Sequence, residues 1–167
     1  TTLCEQQTAT YTVLSVGSGL TYEWQEDRGG GFVALVEAGK YSGTNTATLS
    51  ISDLTTLMTG YRYRAKISGT CVPSVTSSFA PLFVNSLPVI VQQPSAAEIC
   101  EDGSVIFRSS ATGTGVTYQW QVDDGSGFAD LSDDANYSGA TSTVLTITDA
   151  PVSFNGNTYR LQVPATC

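Results

Sequence analysis

The chain has no histidine, a single methionine and only seven lysines and arginines against fifteen acidic residues. Without histidine, a serine or cysteine nucleophile lacks its commonest base. With no Cys-x-x-Cys either, the four cysteines make a poor zinc set, and disulfides in an oxidising compartment are the better reading. A formal net charge of -8 argues against nucleic acid, whose backbone is bound by cationic side chains, and against an anionic membrane surface. No apolar run approaches the roughly 18 residues that would cross a bilayer, so direct membrane insertion is not expected. No signal peptide is visible, as in a mature or excised segment. No long helical periodicity occurs.

What is present is one unit written twice. Cys4 to Cys71, shifted by 96 positions (100 − 4), falls on Cys100 to Cys167 without a gap. Tyr22-Glu23-Trp24-Gln25 meets Tyr118-Gln119-Trp120-Gln121, and Tyr41-Ser42-Gly43 meets Tyr137-Ser138-Gly139. Leu49, Ile51 and Asp53 meet Leu145, Ile147 and Asp149, and Tyr63-Arg64 meets Tyr159-Arg160. Roughly a third of the aligned positions are identical, the signature of a tandem structural repeat. Two domains are expected, 1–86 and 87–167, joined at Asn85-Ser86-Leu87-Pro88 by a linker too short for free tumbling.

Within each repeat, apolar and polar residues alternate with period two, β-branched and aromatic residues are frequent, and glycines punctuate the segments, which predicts half-buried strands. The strands expected in the first repeat are Thr8–Val16 (B), Thr21–Asp27 (C), Phe32–Leu35 (C′), Thr46–Ser52 (E), Tyr61–Ser68 (F) and Thr76–Val84 (G), with the second repeat 96 residues later. Pro88–Pro94 reads as strand A of the second repeat, its prolines suiting a sheet edge. The predicted core is Trp24, Leu49, Ile51 and Tyr63, with Trp120, Leu145, Ile147 and Tyr159 in the second repeat. The positions of the usual inter-sheet cysteines hold Val13 and Ala65, and Ser109 and Leu161. Ser109 therefore needs a hydrogen-bond partner if buried.

This order of signals resembles the immunoglobulin-like β-sandwich, with its core tryptophan on strand C and tyrosine on strand F. The fold class expected is all-β: two tandem immunoglobulin-like domains, the first lacking strand A and the second lacking strand G within this chain. A window cut from a longer array would explain those ends, and a strand donated by another chain is the alternative. A narrower resemblance rests on Pro88-x-x-x-x-Gln93-Pro94, Ile99-Cys100-Glu101, Tyr118-Gln119-Trp120-Gln121, Gly127-Phe128, Tyr137-Ser138-Gly139, Leu145-x-Ile147, Tyr159-Arg160 and closure at Cys167. In order and spacing it is similar to the immunoglobulin-like repeats of large surface adhesins and type IX-secreted multidomain proteins of Bacteroidota. The resemblance implies an extracellular or cell-surface stalk or adhesive array and offers no catalytic residues.

The cysteines admit two pairings. One disulfide per domain would join Cys4 to Cys71 and Cys100 to Cys167. In this topology, however, strands B and F run in the same direction on opposing sheets. Cys4 lies nine residues before Val13, about 30 Å if extended, and Cys71 six after Ala65, about 20 Å the other way. A disulfide needs Cα atoms within about 7 Å. The reading preferred on these grounds is Cys4–Cys167 between the repeats, with Cys71 and Cys100 bonded to neighbouring repeats outside this chain.

Asp123, Asp124, Asp130, Asp133 and Asp134 form an acidic cluster that could attract calcium. The first repeat offers only Glu26, Asp27 and Glu37 there, and the spacing fits no known calcium loop, so a solvated acidic hairpin is the plainer reading and no cofactor is expected. Phe32, Phe128, Tyr41 and Tyr137 could stack on sugar rings or simply flank the sheet. Arg64 and Arg160 are placed beside Glu23 and Gln119, and Asn136-Tyr137-Ser138 is a glycosylation sequon. The function expected is a non-enzymatic structural or adhesive repeat, a semi-rigid stalk whose partners are neighbouring repeats of the same protein. A glycan- or protein-binding module, or an ancillary domain of a secreted hydrolase, is the alternative.

Overall fold

The computed structural model describes residues 2–70 and 73–167. The chain divides into two compact units, Thr1–Ser86 and Leu87–Cys167. In the first, the strands in chain order are β1 (Thr2–Cys4), β2 (Ala9–Thr12), β3 (Thr21–Asp27), β4 (Phe32–Ala34), β5 (Tyr41–Ser42), β6 (Thr48–Ile51), β7 (Arg62–Ser68), β8 (Val75–Thr76), β9 (Ala80–Pro81) and β10 (Phe83–Asn85). Strand β3 pairs with β7 from Thr21 opposite Ser68 to Asp27 opposite Arg62, and with β4 on its other side. The facing sheet runs β2-β6-β5.

The alternation seen in the sequence selects the buried faces. Strand β7 buries Tyr63, Ala65 and Ile67, β6 buries Leu49 and Ile51, and β2 buries Ala9 and Tyr11. Trp24 fills the space between the sheets, with Leu54, Met58, Leu82 and Val84 closing the core. Each fully buried leucine or isoleucine contributes about 1.5–3 kcal/mol relative to exposure.

Three boundaries differ from the sequence expectation. Strand B stops at Thr12, not Val16, and Leu14 and Val16 are 94% and 99% exposed. Past Thr12 opposite Thr48 and one more hydrogen bond from Val13 to Ala47, this segment has no ladder partner among the described residues. Strand G is broken into β8, β9 and β10. At the break Ser77 replaces part of the ladder, its amide donating to the Ala65 carbonyl (2.8 Å) and its hydroxyl accepting from the Ala65 amide (3.0 Å). The third is at the start of the chain, where β1 runs parallel to β10. That is a different place from strand A, which the second unit shows to be antiparallel to the later part of strand B.

The second unit contains β11 (Val89–Gln92), β12 (Val105–Arg108), β13 (Ser110–Thr112), β14 (Gln119–Asp123), β15 (Phe128–Asp130), β16 (Tyr137–Ser138), β17 (Val144–Ile147) and β18 (Thr158–Gln162). Its sheets are β12-β17-β16 and β15-β14-β18, with β11 paired to β13. Ser109 stands between β12 and β13, where strand B leaves one sheet for its pairing with β11. It is 2% exposed, and its hydroxyl donates to the Gln92 carbonyl at 2.6 Å. Trp120, Leu145, Ile147 and Leu161 are buried. Tyr159, expected in the core, is only half-buried. Among the described residues strand β18 pairs with β14 alone, whereas its counterpart β7 also carries β8 and β9.

Candidate functional site

The two tryptophans are held in the same way. The Trp24 amide donates to the Thr44 carbonyl (3.1 Å) and its indole Nε1 to the Thr46 carbonyl (2.9 Å). The Trp120 amide donates to Ala140 (2.7 Å) and its Nε1 to Ser142 (2.9 Å). Both acceptors sit on the loop opened by Tyr-Ser-Gly. The glycine is required there. Gly43 and Gly139 have φ of +74° and +84°, and a Cβ on either would lie 2.1 Å from a carbonyl oxygen, of Thr48 or Val144. A carboxylate seven residues before Thr44 and Ala140 closes the loop. Glu37 accepts from the amides of Gly43 and Thr44 and from the Thr44 hydroxyl, at 2.8–2.9 Å. Asp133 accepts from the Ala140 amide at 2.7 Å. The Gly43 and Thr44 donors hold the Glu37 carboxyl below the usual carboxylate range.

Beyond the indole the units diverge. In the first, Glu26 is 5% exposed and its Oε1 accepts from the hydroxyls of Tyr41 (2.6 Å) and Tyr63 (2.8 Å), while Oε2 takes the Arg28 guanidinium. Burial first, then this carboxylate, pushes Tyr41 up to about 12 and raises Tyr63 as well. The pairing with Glu26 raises the Arg28 pKa. In the second unit the position of Glu26 holds Val122, and Tyr137 and Tyr159 join hydroxyl to hydroxyl at 3.1 Å. Burial, then that contact, raises Tyr137. Glu26 was legible in principle. It lies two residues after Trp24 on strand C and so shares its inward face.

The hairpin tips reuse one device. Asp27 Oδ1 accepts from the amides of Gly29 (2.7 Å) and Gly31 (2.9 Å), and Oδ2 pairs with Arg62 at 2.6 Å. The Gly29 and Gly31 donors and then Arg62 lower its pKa against the opposing effect of burial. Asp123 accepts from Gly125 and Gly127 in the same way. The remaining residues of the acidic cluster are similarly engaged. Asp124 takes the Ser126 hydroxyl and amide, which lower its pKa. Asp130 takes the Gln121 amide group, and Asp134 the amides of Asn136 and Tyr137. The structure thus gives each carboxylate its own local donors, and among the described residues no group of three or more potential metal ligands comes together.

The candidate sugar-stacking rings carry a cation. The Arg64 guanidinium carbon lies 3.8 Å from the Phe32 ring centre, and Arg160 lies 3.8 Å from that of Phe128. Tyr41 and Tyr137 turn inward to the contacts just described. The expected neighbours of the two arginines are corrected by the register. Arg64 stands opposite Gln25 and donates to it at 2.8 Å, while Glu23 stands opposite Lys66. Arg160 stands opposite Gln121 and donates to it at 2.7 Å, not to Gln119. In the sequon, both hydrogen bonds of the Asn136 amide group go to the chain itself, to the carbonyls of Thr148 and Asp149 at 3.0 Å.

Cys4 is disulfide-bonded and so is Cys167, while Cys100 is a free, exposed thiol. A Cys100–Cys167 bridge is therefore not the one formed. Cys71 lies outside the described residues. Among those residues no helix is long and apolar enough to cross a membrane.

No protein-family model and no curated protein matches the chain. Solved structures do. The chain is similar to the I-band fragment I67-I69 from titin, with a TM-score of 0.68 at 16% identity, covering 99% of this chain and 57% of that one. It is similar to the N-terminal eight Ig domains of Down Syndrome Cell Adhesion Molecule isoform 1.30.30 (TM-score 0.69, 18% identity, 98% of this chain and 25% of that one). It is also similar to murine CEACAM1b (TM-score 0.56, 14% identity, 99% and 88%). The chain thus spans little more than half of the titin fragment. At these identities the likeness shows the fold, which is a tandem of immunoglobulin-like β-sandwich domains.

Proposed function

We propose that this chain is a pair of structural, adhesive repeats from an extracellular protein of the bacterial cell surface, of the kind built into Bacteroidota adhesins and type IX-secreted proteins. It acts as a semi-rigid stalk and carries no catalysis of its own. The observation that carries this reading is the duplication of one tryptophan-centred core at a fixed interval. Each tryptophan is clamped by two hydrogen bonds, one from its amide and one from its indole, to a glycine-dependent loop, and each hairpin tip is tied by one aspartate. Repetition of one scaffold, with the repeated Phe32 and Phe128 rings each already covered by an arginine, favours spacing over recognition. The one conspicuous polar knot, at Glu26, is buried and confined to the first unit. The similarity to immunoglobulin domains of titin and of Down Syndrome Cell Adhesion Molecule is in keeping with this role.

The proposed bond between repeats is Cys4–Cys167, supported by the oxidised state of both cysteines and the free Cys100 thiol. Disulfides belong to oxidising compartments, which fits an extracellular location. A non-reducing peptide map after alkylation tests it: a peptide pair joining Cys4 to Cys167 is expected, and Cys4 joined to Cys71 would refute the link. For the mechanical role, single-molecule stretching of the 167-residue chain after reduction of its disulfide is expected to give two unfolding events. Extension at negligible force would remove the stalk reading. Binding of a defined glycan on an array, lost on Phe128→Ala, would instead favour a recognition module.

A further inference from the structure

The outer edge of β4 in the first unit faces solvent. Strand β4 ends its sheet, in the order β4-β3-β7-β8, and the chain is described without a break on both sides of it. The Leu35 amide donates to the Trp24 carbonyl at 2.8 Å, and Val33 stands opposite Glu26. Main-chain groups of an antiparallel strand point alternately to either side. Those of Val33 and Leu35 are thus turned to β3. Those of Phe32 and Ala34 are turned outward, where no strand meets them among the described residues.

The side chains along this edge are open as well. Val33 is 70% exposed and Val36 75%. Val33 and Leu35 line a groove of about 320 Å³ together with Glu26 and Arg28. Residues 29–36 carry no charge. The flanking charges are taken, Arg28 by Glu26 and Glu37 by the amides of Gly43 and Thr44. Native proteins guard a sheet edge with charge, proline or a bulge. The second unit does so at the same place, since β15 also ends its sheet and Asp130 stands where the first unit has Ala34.

We infer that β4 is a pairing edge whose occupant is the β4 of a second copy of this chain, the two strands running antiparallel about a two-fold axis at Ala34. Ala34 then exchanges main-chain hydrogen bonds with its twin. Phe32 comes opposite Val36 of the other copy, and Val33 opposite Leu35. Charge selects this occupant. Copies with a net charge of -8 repel one another over most of their surface, and an uncharged edge is its own complement. In the same pairing β15 would set two Asp130 carboxylates face to face, which is disfavoured. A two-fold contact of this kind closes at the dimer. The strand is short, so the contact is weak and transient, below the roughly 1,000 Å² of a stable interface. Where stalks stand side by side, many such contacts add by avidity.

The test is sedimentation equilibrium of the 167-residue chain from micromolar to millimolar concentration. Cys100, an exposed thiol, is capped with iodoacetamide so that no new disulfide joins copies. A reversible monomer–dimer equilibrium is expected, with amide exchange at Phe32 and Ala34 slowing as concentration rises. Ala34→Asp, which copies the second unit, is expected to weaken the dimer at least about tenfold through like-charge juxtaposition. The fold accepts an aspartate there, since Asp130 takes the Gln121 amide group at 2.7 Å. Ala34→Pro removes the outward donor and spares the ladder to β3, and it is expected to act similarly. Leu57→Asp, 83% exposed and off this edge, is expected to leave the dimer unchanged. A dimer indifferent to Ala34→Asp and Ala34→Pro, or weakened equally by Leu57→Asp, would overturn the inference. So would growth past the dimer, which marks a head-to-tail contact. A chain still monomeric at millimolar concentration would overturn it too, leaving a foreign strand or none at this edge.

Discussion

The hydroxyl of Tyr63 donates to Glu26 Oε1 at 2.8 Å inside the first unit, and Tyr41 donates to the same oxygen at 2.6 Å. One carboxylate thus serves a buried and a half-buried phenol, and the second unit meets the same need without a charge. Removing an acceptor from buried donors costs about 1–3 kcal/mol, whereas an apolar replacement that lets the remaining groups pair can be nearly neutral. Glu26→Ala is expected to destabilise the first unit by about that amount. Glu26→Val, which copies Val122, should cost less, because Tyr41 and Tyr63 can then meet as Tyr137 and Tyr159 do. Urea unfolding of the two variants, with Tyr63→Phe completing a double-mutant cycle, checks this. Equal losses for Ala and Val would show that the phenols do not re-pair.

Much of this was legible beforehand, and the reason lies in periodicity. Trp24, Leu49, Ile51 and Ala65 recur at period two and again 96 residues on, so their burial follows from pattern alone. Strand ends were not legible. The alternation of β2 runs on to Val16, but its ladder ends at Thr12 because pairing there depends on a partner strand, and Leu14 and Val16 share the outward face of Thr10 and Thr12. Tyr159 packs against the second core but stays half-buried, a degree of burial that its own strand's pattern does not fix. The pairing of Arg64 with Gln25 rather than Glu23 is a matter of register, which a single strand's pattern does not fix.

Alkaline pH should act on the buried phenols. Burial and Glu26 push Tyr41 up to about 12 and raise Tyr63 too. A group whose folded pKa exceeds its unfolded value stabilises the fold fully below the unfolded pKa, about 10 for tyrosine, and that contribution is lost as pH rises through the folded value. Stability should therefore fall as pH climbs from about 10 to about 12. Phenolate absorbance should titrate in two phases, the later one coinciding with unfolding. Tyr63→Phe should diminish the later phase, and a single phase at the ordinary tyrosine value would contradict the burial described.

Acid should act through the loop carboxylates. Asp27, Glu37 and Asp124 all have lowered pKa values, each set chiefly by hydrogen bonds from nearby donors. Depressed carboxylates contribute stability above the unfolded pKa and lose it as pH falls through the folded one. Unfolding temperature is expected to hold down to about pH 4 and to fall below it. Asp27→Asn and Glu37→Gln should each flatten that fall in the first unit while lowering stability at neutral pH.

The sharpest mutational test is at the two loop glycines. Gly43 and Gly139 combine a left-handed backbone with a carbonyl oxygen 2.1 Å from where a Cβ would stand. An alanine must then either adopt a φ that L-residues disfavour or push β6 or β17 aside. Strain of this kind costs about 1–3 kcal/mol, and the displaced carbonyl adds to it. The loop also presents the carbonyls that receive the tryptophan Nε1, so the damage should report through the indole. Gly139→Ala is expected to destabilise the second unit by at least about 2 kcal/mol and to shift Trp120 emission toward that of a hydrated indole. Trp24 emission, isolated by Trp120→Phe, should be unchanged in the Gly139→Ala background. Since the two glycines serve separate cores, their losses should appear in separate transitions, Gly43→Ala lowering the first unit's midpoint and Gly139→Ala the second's. If Gly139→Ala left Trp120 emission and the second midpoint untouched, the loop would not be what holds the indole in place.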